Sequence, residues 1–556
     1  MATSAPVSPA RGGVSMAGAA LAAHRLSGSF ITDSPDAEGS LVCPLEPRPD
    51  RRTMTAPPNI LLVMMDQLAP QVLKPYGGTV CRTPNLERLA GEGVVFENAY
   101  CNYPICAPAR FSLMSGRMPS RIGAFDNATE FPSEVPTFAH YLRAMGYHTC
   151  LSGKMHFVGA DQLHGFEDRV TTDVYPADFS WTSDWSLGPT FWEPWFHSVR
   201  IVRDAGPRRR SVNTSYDEEA TVEACRWLHD HADRADGRPF FLAASFISPH
   251  DPYLAPPSHW DLYTDDGIDD PRVGDIPLEE RDPHSRRLYY TIGRHIETIG
   301  PADVRRARRA YYAVMSWLDD RIGRILETLK AIDADDNTIV VLTADHGDML
   351  GERGLWLKMN FFEWSVRVPL IVHAPTLYRA RRVRENVSLL DLFPTFLEWA
   401  GDGELPELFA PIDGASIAGL AAGHSDGWPD VVGSEYCGEG ASSPVLMIRR
   451  GRWKYIHCED DPPLLFDIEQ DPDELVNLAG TPEVGGVETD LAGEVCRWWD
   501  TAALKDRVIE SQRRRKFLHA ALSVGRRTPW DWQPVRDASR EYVRGDGDVD
   551  GIYART

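Results

Sequence analysis

The chain has 556 residues, of which 43% are hydrophobic and 25% are charged, and this composition is ordinary for a large globular protein. It excludes a fully disordered, collagen-like or coiled-coil chain. Lys and Arg number 58 against 81 Asp and Glu, so the net charge of −23 repels phosphate backbones and argues against a nucleic-acid partner.

The sequence indicates neither a membrane segment nor a cysteine framework. Its longest apolar runs, such as residues 60–65, fall far short of the ~20 residues that cross a bilayer. The 9 cysteines include no CxxC pair, so neither a zinc site nor a set of disulfides is indicated. We therefore expect a protein of the reducing cytoplasm with no membrane partner.

The first part of the chain differs in composition from the rest. Residues 1–56 are rich in Ala, Gly, Ser and Pro and carry no convincing secretory signal. We expect this extension to be disordered, and Met54 is a second candidate start.

Residues 57–427 are predicted to form an α/β domain whose mostly parallel sheet is sandwiched by helices. Continuous apolar runs suit strands that are buried on both faces, at residues 59–65, 240–246 and 338–343. Helical spacing occupies residues 83–90 and 303–332. Because ligands gather at the carboxyl ends of such strands, we expect Asp66, His250 and Asp345 to share one rim.

Two further regions follow this domain. Residues 428–493 predict a small antiparallel sheet, because short strand candidates follow closely at residues 431–435, 444–449, 453–457 and 463–467. Residues 494–556 predict one helix and an extended aromatic tail. Since exposed tryptophans are unfavourable in water, we expect the tail to dock on the body or on another subunit of a homodimer or homotetramer.

One short string carries a specific chemical signal, Cys106-Ala107-Pro108-Ala109-Arg110, with Ser115-Gly116-Arg117 after it. It resembles the sulfatase signature, in which the cysteine is oxidised to formylglycine. Further motifs fall in the order that sulfatases use: Asp66, Gly153-Lys154-Met155-His156, Pro249-His250-Asp251, Asp345-His346-Gly347-Asp348 and Lys358. The resemblance extends from about Pro58 to the end of the chain, and it implies the fold of the alkaline phosphatase superfamily.

Longer stretches are similar to the choline-sulfatase branch in particular, among them Tyr175-Pro176-Ala177-Asp178-Phe179 and Pro529-Trp530-Asp531. The implied reaction is the hydrolysis of choline O-sulfate to choline and sulfate. The implied partners are the substrate and the enzyme that generates formylglycine.

A sulfate ester requires positive charge on its nonbridging oxygens, an activated nucleophile and an acid for the leaving oxygen. The resemblance implies that one divalent metal, Ca²⁺ or otherwise Mn²⁺ or Mg²⁺, is held by Asp66, Cys106, Asp345 and His346. The hydrate of formylglycine at position 106 is then the nucleophile. Further roles follow for the basic residues: Arg110 orients the hydrate, Lys154 and Lys358 bind sulfate, and His156 and His250 move protons, with Lys358 or His250 as the acid.

The choline half of the substrate is a quaternary ammonium, which is recognised by aromatic faces and carboxylates because it cannot donate hydrogen bonds. The resemblance assigns Trp181 to an aromatic wall and adds Asn127, His197 and Glu439 to the pocket. Core packing for Trp181 and a solvated position for Glu439 are the alternative interpretations.

Two positions stand out within the sulfatase pattern. Gln67 replaces the second Asp of the general sulfatase site, which reduces the negative charge around the metal. Trp364 stands where the choline-sulfatase branch usually has a small residue, shortly after Lys358, and predicts an altered leaving-group pocket. Two alternatives stay open: a broader aryl or alkyl sulfatase or a phosphonate or phosphate monoester hydrolase, and a non-catalytic protein that binds quaternary ammonium ligands.

Overall fold

The computed structural model describes residues 57–191, 197–234 and 236–536. The predicted disordered extension, residues 1–56, and the last part of the predicted tail, residues 537–556, lie outside the described residues. No helix in the described ranges combines the length and the apolar character needed to cross a membrane.

The strands in the described ranges are β1 (Asn59–Asp66), β2 (Val94–Tyr100), β3 (His148–Gly153), β4 (Asp168–Arg169), β5 (Gly206–Pro207), β6 (Phe240–Pro249), β7 (Leu254–Ala255), β8 (Thr338–Ala344), β9 (Arg367–His373), β10 (Arg381–Ser388), β11 (Val431–Tyr436), β12 (Val445–Arg450), β13 (Trp453–Cys458) and β14 (Asp461–Asp467). The helices are α1 (Pro84–Glu92), α2 (Cys106–Ser115), α3 (Phe138–Ala144), α4 (Arg200–Arg203), α5 (Val212–Asp233), α6 (Pro257–Trp260), α7 (Pro283–Thr291), α8 (Pro301–Ala331), α9 (Glu363–Val366), α10 (Leu392–Ala400), α11 (Ala418–Ala422), α12 (Gly485–Trp498) and α13 (Thr501–Leu522).

The large sheet has the strand order β10-β2-β9-β8-β1-β6-β3-β4. β1 pairs in parallel with both β6 and β8, whereas β9 runs antiparallel to its neighbours β2 and β8. The side chains of β1 from Ile60 to Met65 are fully buried, as expected for a strand covered by helices on both faces. The predicted α/β fold with a mostly parallel sheet is therefore confirmed.

The parallel strands explain where the polar residues lie. β1, β6 and β8 are neighbours and run in the same direction, so their carboxyl ends meet at one edge of the sheet. Asp66 ends β1, His250 follows β6 and Asp345 follows β8. β3 pairs in parallel with β6 and brings Lys154 to the same edge.

The strands β11 to β14 form a separate antiparallel sheet in chain order, and the predicted smaller sheet is confirmed. Its second hairpin turns at Gly451, whose positive φ of 54° suits a residue without a Cβ atom. Lys454 of β13 lies buried with its Nζ 2.6 Å from Glu363 and 2.8 Å from Glu474, which joins this sheet to the segment after Lys358. The exact boundaries at residues 427 and 493 stay predictions.

The C-terminal region contains two helices where the sequence predicts one. The predicted helix, with its basic residues 513–516, is α13, whereas α12 from Gly485 to Trp498 precedes it and was not predicted, because tertiary packing overrides the low helix propensity of two glycines. Trp499 takes extended φ and ψ angles and ends α12, and the Asp500 carboxylate then accepts from the Ala503 N–H at 3.1 Å to start α13.

The tail after α13 docks on the body of the same chain. Trp530 packs edge-on against Phe179 with ring centroids 5.4 Å apart. The Asp531 carboxylate accepts from the Ala177 N–H at 3.1 Å, and Trp532 Nε1 donates to a backbone carbonyl at 3.0 Å. Three successive residues of the tail are thus tied to the large domain.

Candidate active site

A compact cluster of four possible metal ligands, the donor cluster, lies at the edge of the sheet. One ligand atom from each of Asp66, Cys106, Asp345 and His346 lies within 4.8 Å of all the others, and the residues are buried. Cys106 Sγ is 3.3 Å from His346 Nε2 and 3.7 Å from Asp66 Oδ1. Cys106 is the first residue of α2, a helix whose residues are all buried.

The cluster fits a divalent cation by the chemistry of its donors. His346 Nδ1 lies 3.0 Å from the Gly347 carbonyl, so an N–H on that atom leaves the Nε2 lone pair facing the cluster. Burial lowers the pKa of His346 to about 4, which keeps the imidazole neutral. Two carboxylates with one neutral imidazole suit Ca²⁺ or Mn²⁺.

Arg110 lies one turn after Cys106 on α2 and holds the carboxylates in place. Its Nε donates to Asp345 at 2.9 Å, and its Nη2 donates to Asp66 at 3.1 Å. Its Nη1 donates to Ser245 Oγ at 2.8 Å and to the Lys154 carbonyl at 2.7 Å. The guanidinium thus links residues in or directly after the four strands β1, β3, β6 and β8, and its predicted role in orienting the nucleophile stays a prediction.

A buried lysine adds positive charge beside the cluster. The buried Lys154 ammonium donates to Asp66 and lies 4.3 Å from the ring centroid of Tyr175. Although burial opposes ionisation, Lys154, His250 and Arg110 hold the pKa of Asp66 well below its usual range. Burial and the Asp66 charge raise the pKa of the Cys106 thiol to about 12, so this thiol is protonated at neutral pH.

Lys358 and His250 form a hydrogen-bonded pair beside the cluster. Lys358 Nζ lies 2.8 Å from His250 Nε2 and donates to Gln67 Oε1 at 2.5 Å. His250 Nδ1 lies 2.8 Å from the Asp251 carbonyl, and Nε2 lies 4.0 Å from Asp66 Oδ1. Gln67 thus accepts from Lys358 through Oε1 and donates to Asp348 Oδ2 at 2.6 Å through Nε2.

His156 lies beside the donor cluster, next to Tyr175 and Trp181. It is buried, and neither ring nitrogen has a hydrogen-bond partner among the described residues. Burial, together with Lys154 and Arg110, lowers the pKa of His156 well below its usual value. Its φ of 61° and that of Gln67, 63°, lie in the left-handed region, which is uncommon for non-glycine residues.

Three aromatic rings meet next to His156 and Lys154. Trp181 ends a short 3₁₀ turn, and its ring lies edge-on to Tyr175 at 4.8 Å and to His156 at 5.9 Å. Tyr175 is a site residue that sequence reasoning missed, although it lies within a string that resembles the choline-sulfatase branch. The Asp178 carboxylate caps the turn by accepting from the Ser180 N–H at 2.8 Å.

The remaining predicted pocket residues have clear partners. His197 Nδ1 lies 2.9 Å from Glu439 Oε1, and Glu439 Oε2 accepts from Ser183 Oγ at 3.3 Å, close in sequence to Trp181. Asn127 Oδ1 accepts from the Ala107 N–H at 3.0 Å. Asn127 therefore caps the first turn of α2, a contact that the sequence does not reveal.

Trp364 lies on the short helix α9. Its ring lies 5.5 Å from the Arg308 guanidinium and lines a surface cavity of about 600 Å³ together with Arg272 and Arg367. The backbone of Trp364 faces Gly347, where an added Cβ atom would lie 2.0 Å from the Trp364 carbonyl oxygen. Trp364 thus approaches Gly347 through its backbone while its ring contacts Arg308, and its effect on the leaving-group pocket stays a prediction.

The large mostly parallel sheet with a separate antiparallel sheet is the fold of sulfatases and alkaline phosphatases, and the buried cluster of two carboxylates, an imidazole and a cysteine lies at the carboxyl ends of its strands. The chain belongs to the sulfatase family, whose model, described as Sulfatase, matches residues 58–402. Two further models match its C-terminal part, Choline sulfatase enzyme C terminal at residues 506–556 and N-sulphoglucosamine sulphohydrolase, C-terminal at residues 351–499. The protein is therefore a sulfuric ester hydrolase.

Individual relatives agree with this assignment. A choline-sulfatase from Rhizobium meliloti (strain 1021) is 42% identical over 505 residues, which cover 90% of this chain and 98% of the relative. An arylsulfatase from Clostridium perfringens (strain 13 / Type A) is 29% identical and covers 77% of this chain and 91% of its own length. The crystal structure of the phosphonate monoester hydrolase of Agrobacterium radiobacter has a TM-score of 0.64 at 23% identity and covers 81% of this chain and 96% of its own, which shows the shared fold.

Proposed function

We propose that this protein hydrolyses choline O-sulfate to choline and sulfate. The observation that carries the proposal is the pair of aromatic rings of Tyr175 and Trp181, which lies next to Lys154 at the donor cluster. Such a pair suits a quaternary ammonium, since aromatic faces attract a cation that cannot donate hydrogen bonds. The similarity to a choline-sulfatase along 90% of the chain supports the same substrate.

The nucleophile we propose is formylglycine at position 106, made from Cys106 by a formylglycine-generating enzyme. Its hydrate would supply a hydroxyl for attack on sulfur. Asp66, Asp345 and His346 would hold, together with this group, one divalent cation, most suitably Ca²⁺. When bound, such a cation polarises a sulfate oxygen and favours ionisation of a hydroxyl.

The remaining residues bind the sulfate group and move the proton. Lys154 and Lys358 carry ammonium groups that neutralise nonbridging oxygens. An alkyl alcohol leaves poorly unless it is protonated, so the choline oxygen requires an acid. His250 donates its Nδ1 proton to the Asp251 carbonyl and accepts from Lys358 at Nε2, which makes Lys358 our choice for this acid.

The choline end would lie against the Trp181 and Tyr175 rings, with Glu439 supplying the negative charge. The Glu439 carboxylate is held by His197 and Ser183, so it is oriented before substrate binds. Its side chain is 13% exposed, which allows contact with a ligand. The cytoplasmic location, the formylglycine-generating partner and the homodimer or homotetramer remain predictions from the sequence.

The test compares three substrates of one enzyme preparation: choline sulfate, 4-nitrophenyl sulfate and a phenyl phosphonate monoester. We expect kcat/KM to be highest for choline sulfate, although an aryl leaving group is chemically better. Preference for either aryl substrate would overturn the choline assignment in favour of a broader hydrolase. Mass spectrometry of the peptide across Cys106 tests the conversion separately, because the aldehyde and the thiol differ in mass.

A further inference from the structure

A buried arginine connects the C-terminal helix to the active site. Arg515 lies on α13 and is 5% exposed, and its guanidinium binds both carboxylate oxygens of Asp126, which is fully buried. Nη2 lies 2.9 Å from Asp126 Oδ2, and Nη1 also donates to Thr182 Oγ1 at 3.3 Å. The contacting residues lie 389 positions apart in the sequence.

Asp126 is a junction between the two halves of the site. On one side, its Oδ1 accepts from the Ala128 N–H at 3.0 Å and shapes the loop that carries Asn127, the cap of α2. On the other side, its Oδ2 accepts from the Ser183 N–H at 3.2 Å, two residues after Trp181. The Asp126 carboxylate thus contacts both the loop that caps α2, the helix of Cys106, and the segment that carries Trp181.

Neighbours of Arg515 on α13 hold the same wall segment. Gln512 Oε1 accepts from the Trp185 N–H at 3.0 Å, and Lys516 pairs with Asp184. Other buried positions of α13 are the apolar Leu504 and Val508 near its start. The face of the helix that carries Gln512 and Arg515 is therefore directed at residues 182–185.

The two sides differ in how firmly they are held without Arg515. α2 is also held by Arg110, which has four hydrogen bonds to other parts of the site. The segment from Phe179 to Trp185 consists of short 3₁₀ turns and loops. Loss of the Arg515 contact leaves a buried carboxylate unpaired, and the wall segment, which belongs to no strand or α-helix, is expected to move first.

We propose that Arg515 is a positioning residue that fixes the Trp181 wall, residues 179–185, relative to α2, the helix of Cys106. Selectivity for the choline ester then depends on α13, a helix that does not itself carry a group in the reaction. This inference rests on the proposed function in one respect: it takes the wall as the site of the choline group.

The experiment compares Arg515→Ala and Arg515→Lys with a control on the same helix, Arg514→Ala. Arg514 is 63% exposed and pairs only with Glu510 among the contacts described for it, so its loss leaves the wall untouched. For Arg515→Ala we expect KM for choline sulfate to rise at least about tenfold, while kcat, and KM for 4-nitrophenyl sulfate, change less than about threefold. Arg515→Lys keeps the charge but loses the two-pronged contact, and it should restore part of the loss.

Hydrogen exchange gives a second measurement that does not depend on the substrate. In Arg515→Ala, backbone amides of residues 177–185 should exchange faster than in the wild type and in Arg514→Ala. Equal exchange, or equal rises of KM for both substrates, would overturn the positioning role. A wild-type enzyme that does not hydrolyse choline sulfate would instead refute the proposed function. The hydrogen-exchange result alone would then decide whether Arg515 positions the wall.

A paired variant covers the case in which Arg515→Ala does not fold. Asp126→Asn with Arg515→Gln removes both charges together, so no unpaired charge is buried. The same rise of KM for choline sulfate, with faster exchange in residues 177–185, supports the proposal. Unchanged values of both quantities in this folded double variant contradict it.

Discussion

The donor cluster and the aromatic wall are built in opposite ways. Asp66, Asp345 and His346 lie at the ends of central strands and are fully buried. Trp181 lies on a 3₁₀ turn in a loop region and is only partly buried. The cluster is held by the pairing of neighbouring strands and by Arg110 of α2, whereas the wall is held by a helix and a tail from the far end of the chain.

This contrast separates chemistry from substrate choice. The reacting groups require positions fixed by a rigid sheet, since small displacements reduce catalysis steeply. The wall can change its residues and supports without altering the cluster, as binding loops on rigid scaffolds do. Variants in the cluster should therefore affect all sulfate esters, while variants in the wall should affect choline sulfate selectively.

Cys106→Ala tests the cluster most severely. We expect kcat to fall at least about 10³-fold for every substrate, because the precursor of the nucleophile and a metal ligand are lost together. Cys150→Ala is the matched control, because Cys150 is also fully buried and lies in β3 outside the cluster. The measurement is steady-state kinetics with a melting curve for each variant. Hydrolysis at the wild-type rate by folded Cys106→Ala would refute the nucleophile.

Lys358→Met tests the assignment of the acid and sharpens the contrast within the site. We expect kcat for choline sulfate to fall by about 10²–10⁴-fold, the range typical for loss of a general acid. The fall should be smaller for 4-nitrophenyl sulfate, because nitrophenolate leaves without prior protonation. Equal losses for both substrates would assign Lys358 to sulfate binding alone.

Asp345→Asn tests whether the cluster holds a metal. We expect metal affinity, measured by Ca²⁺ titration and elemental analysis, to fall at least about tenfold, since one of the charged ligands becomes neutral. Asp348→Asn is the control, because Asp348 is equally buried but bonds to Gln67 and Tyr253 outside the donor set. Loss of metal from the control alone would move the site away from Asp345.

The same contrast explains what could be predicted from sequence. The strand ends at Asp66 and Asp345 follow from buried apolar runs, because parallel strands bring their carboxyl ends together. The contacts of the wall do not follow from any local pattern. Arg515 and Asp126 meet only in the folded chain, and Asn127, predicted to contact substrate, has its carbonyl oxygen bonded to Ala107. Helix α12 also escaped prediction, because it begins with two glycines, and its buried residues, Leu491 and Val495, are fixed only by tertiary packing.

Trp181→Ala is the mildest of the changes and tests the wall directly. Loss of a cation–π contact of about 0.5–2 kcal/mol should raise KM for choline sulfate about 2- to 30-fold. KM for 4-nitrophenyl sulfate should change less, since this substrate has no cation to place against the ring. Trp260→Ala is the control, because Trp260 is also half-buried and packs under a cation, Arg309, but lies on α6. A similar rise of KM for both substrates would remove Trp181 from the choline pocket and leave Tyr175 and Glu439 to account for any selectivity.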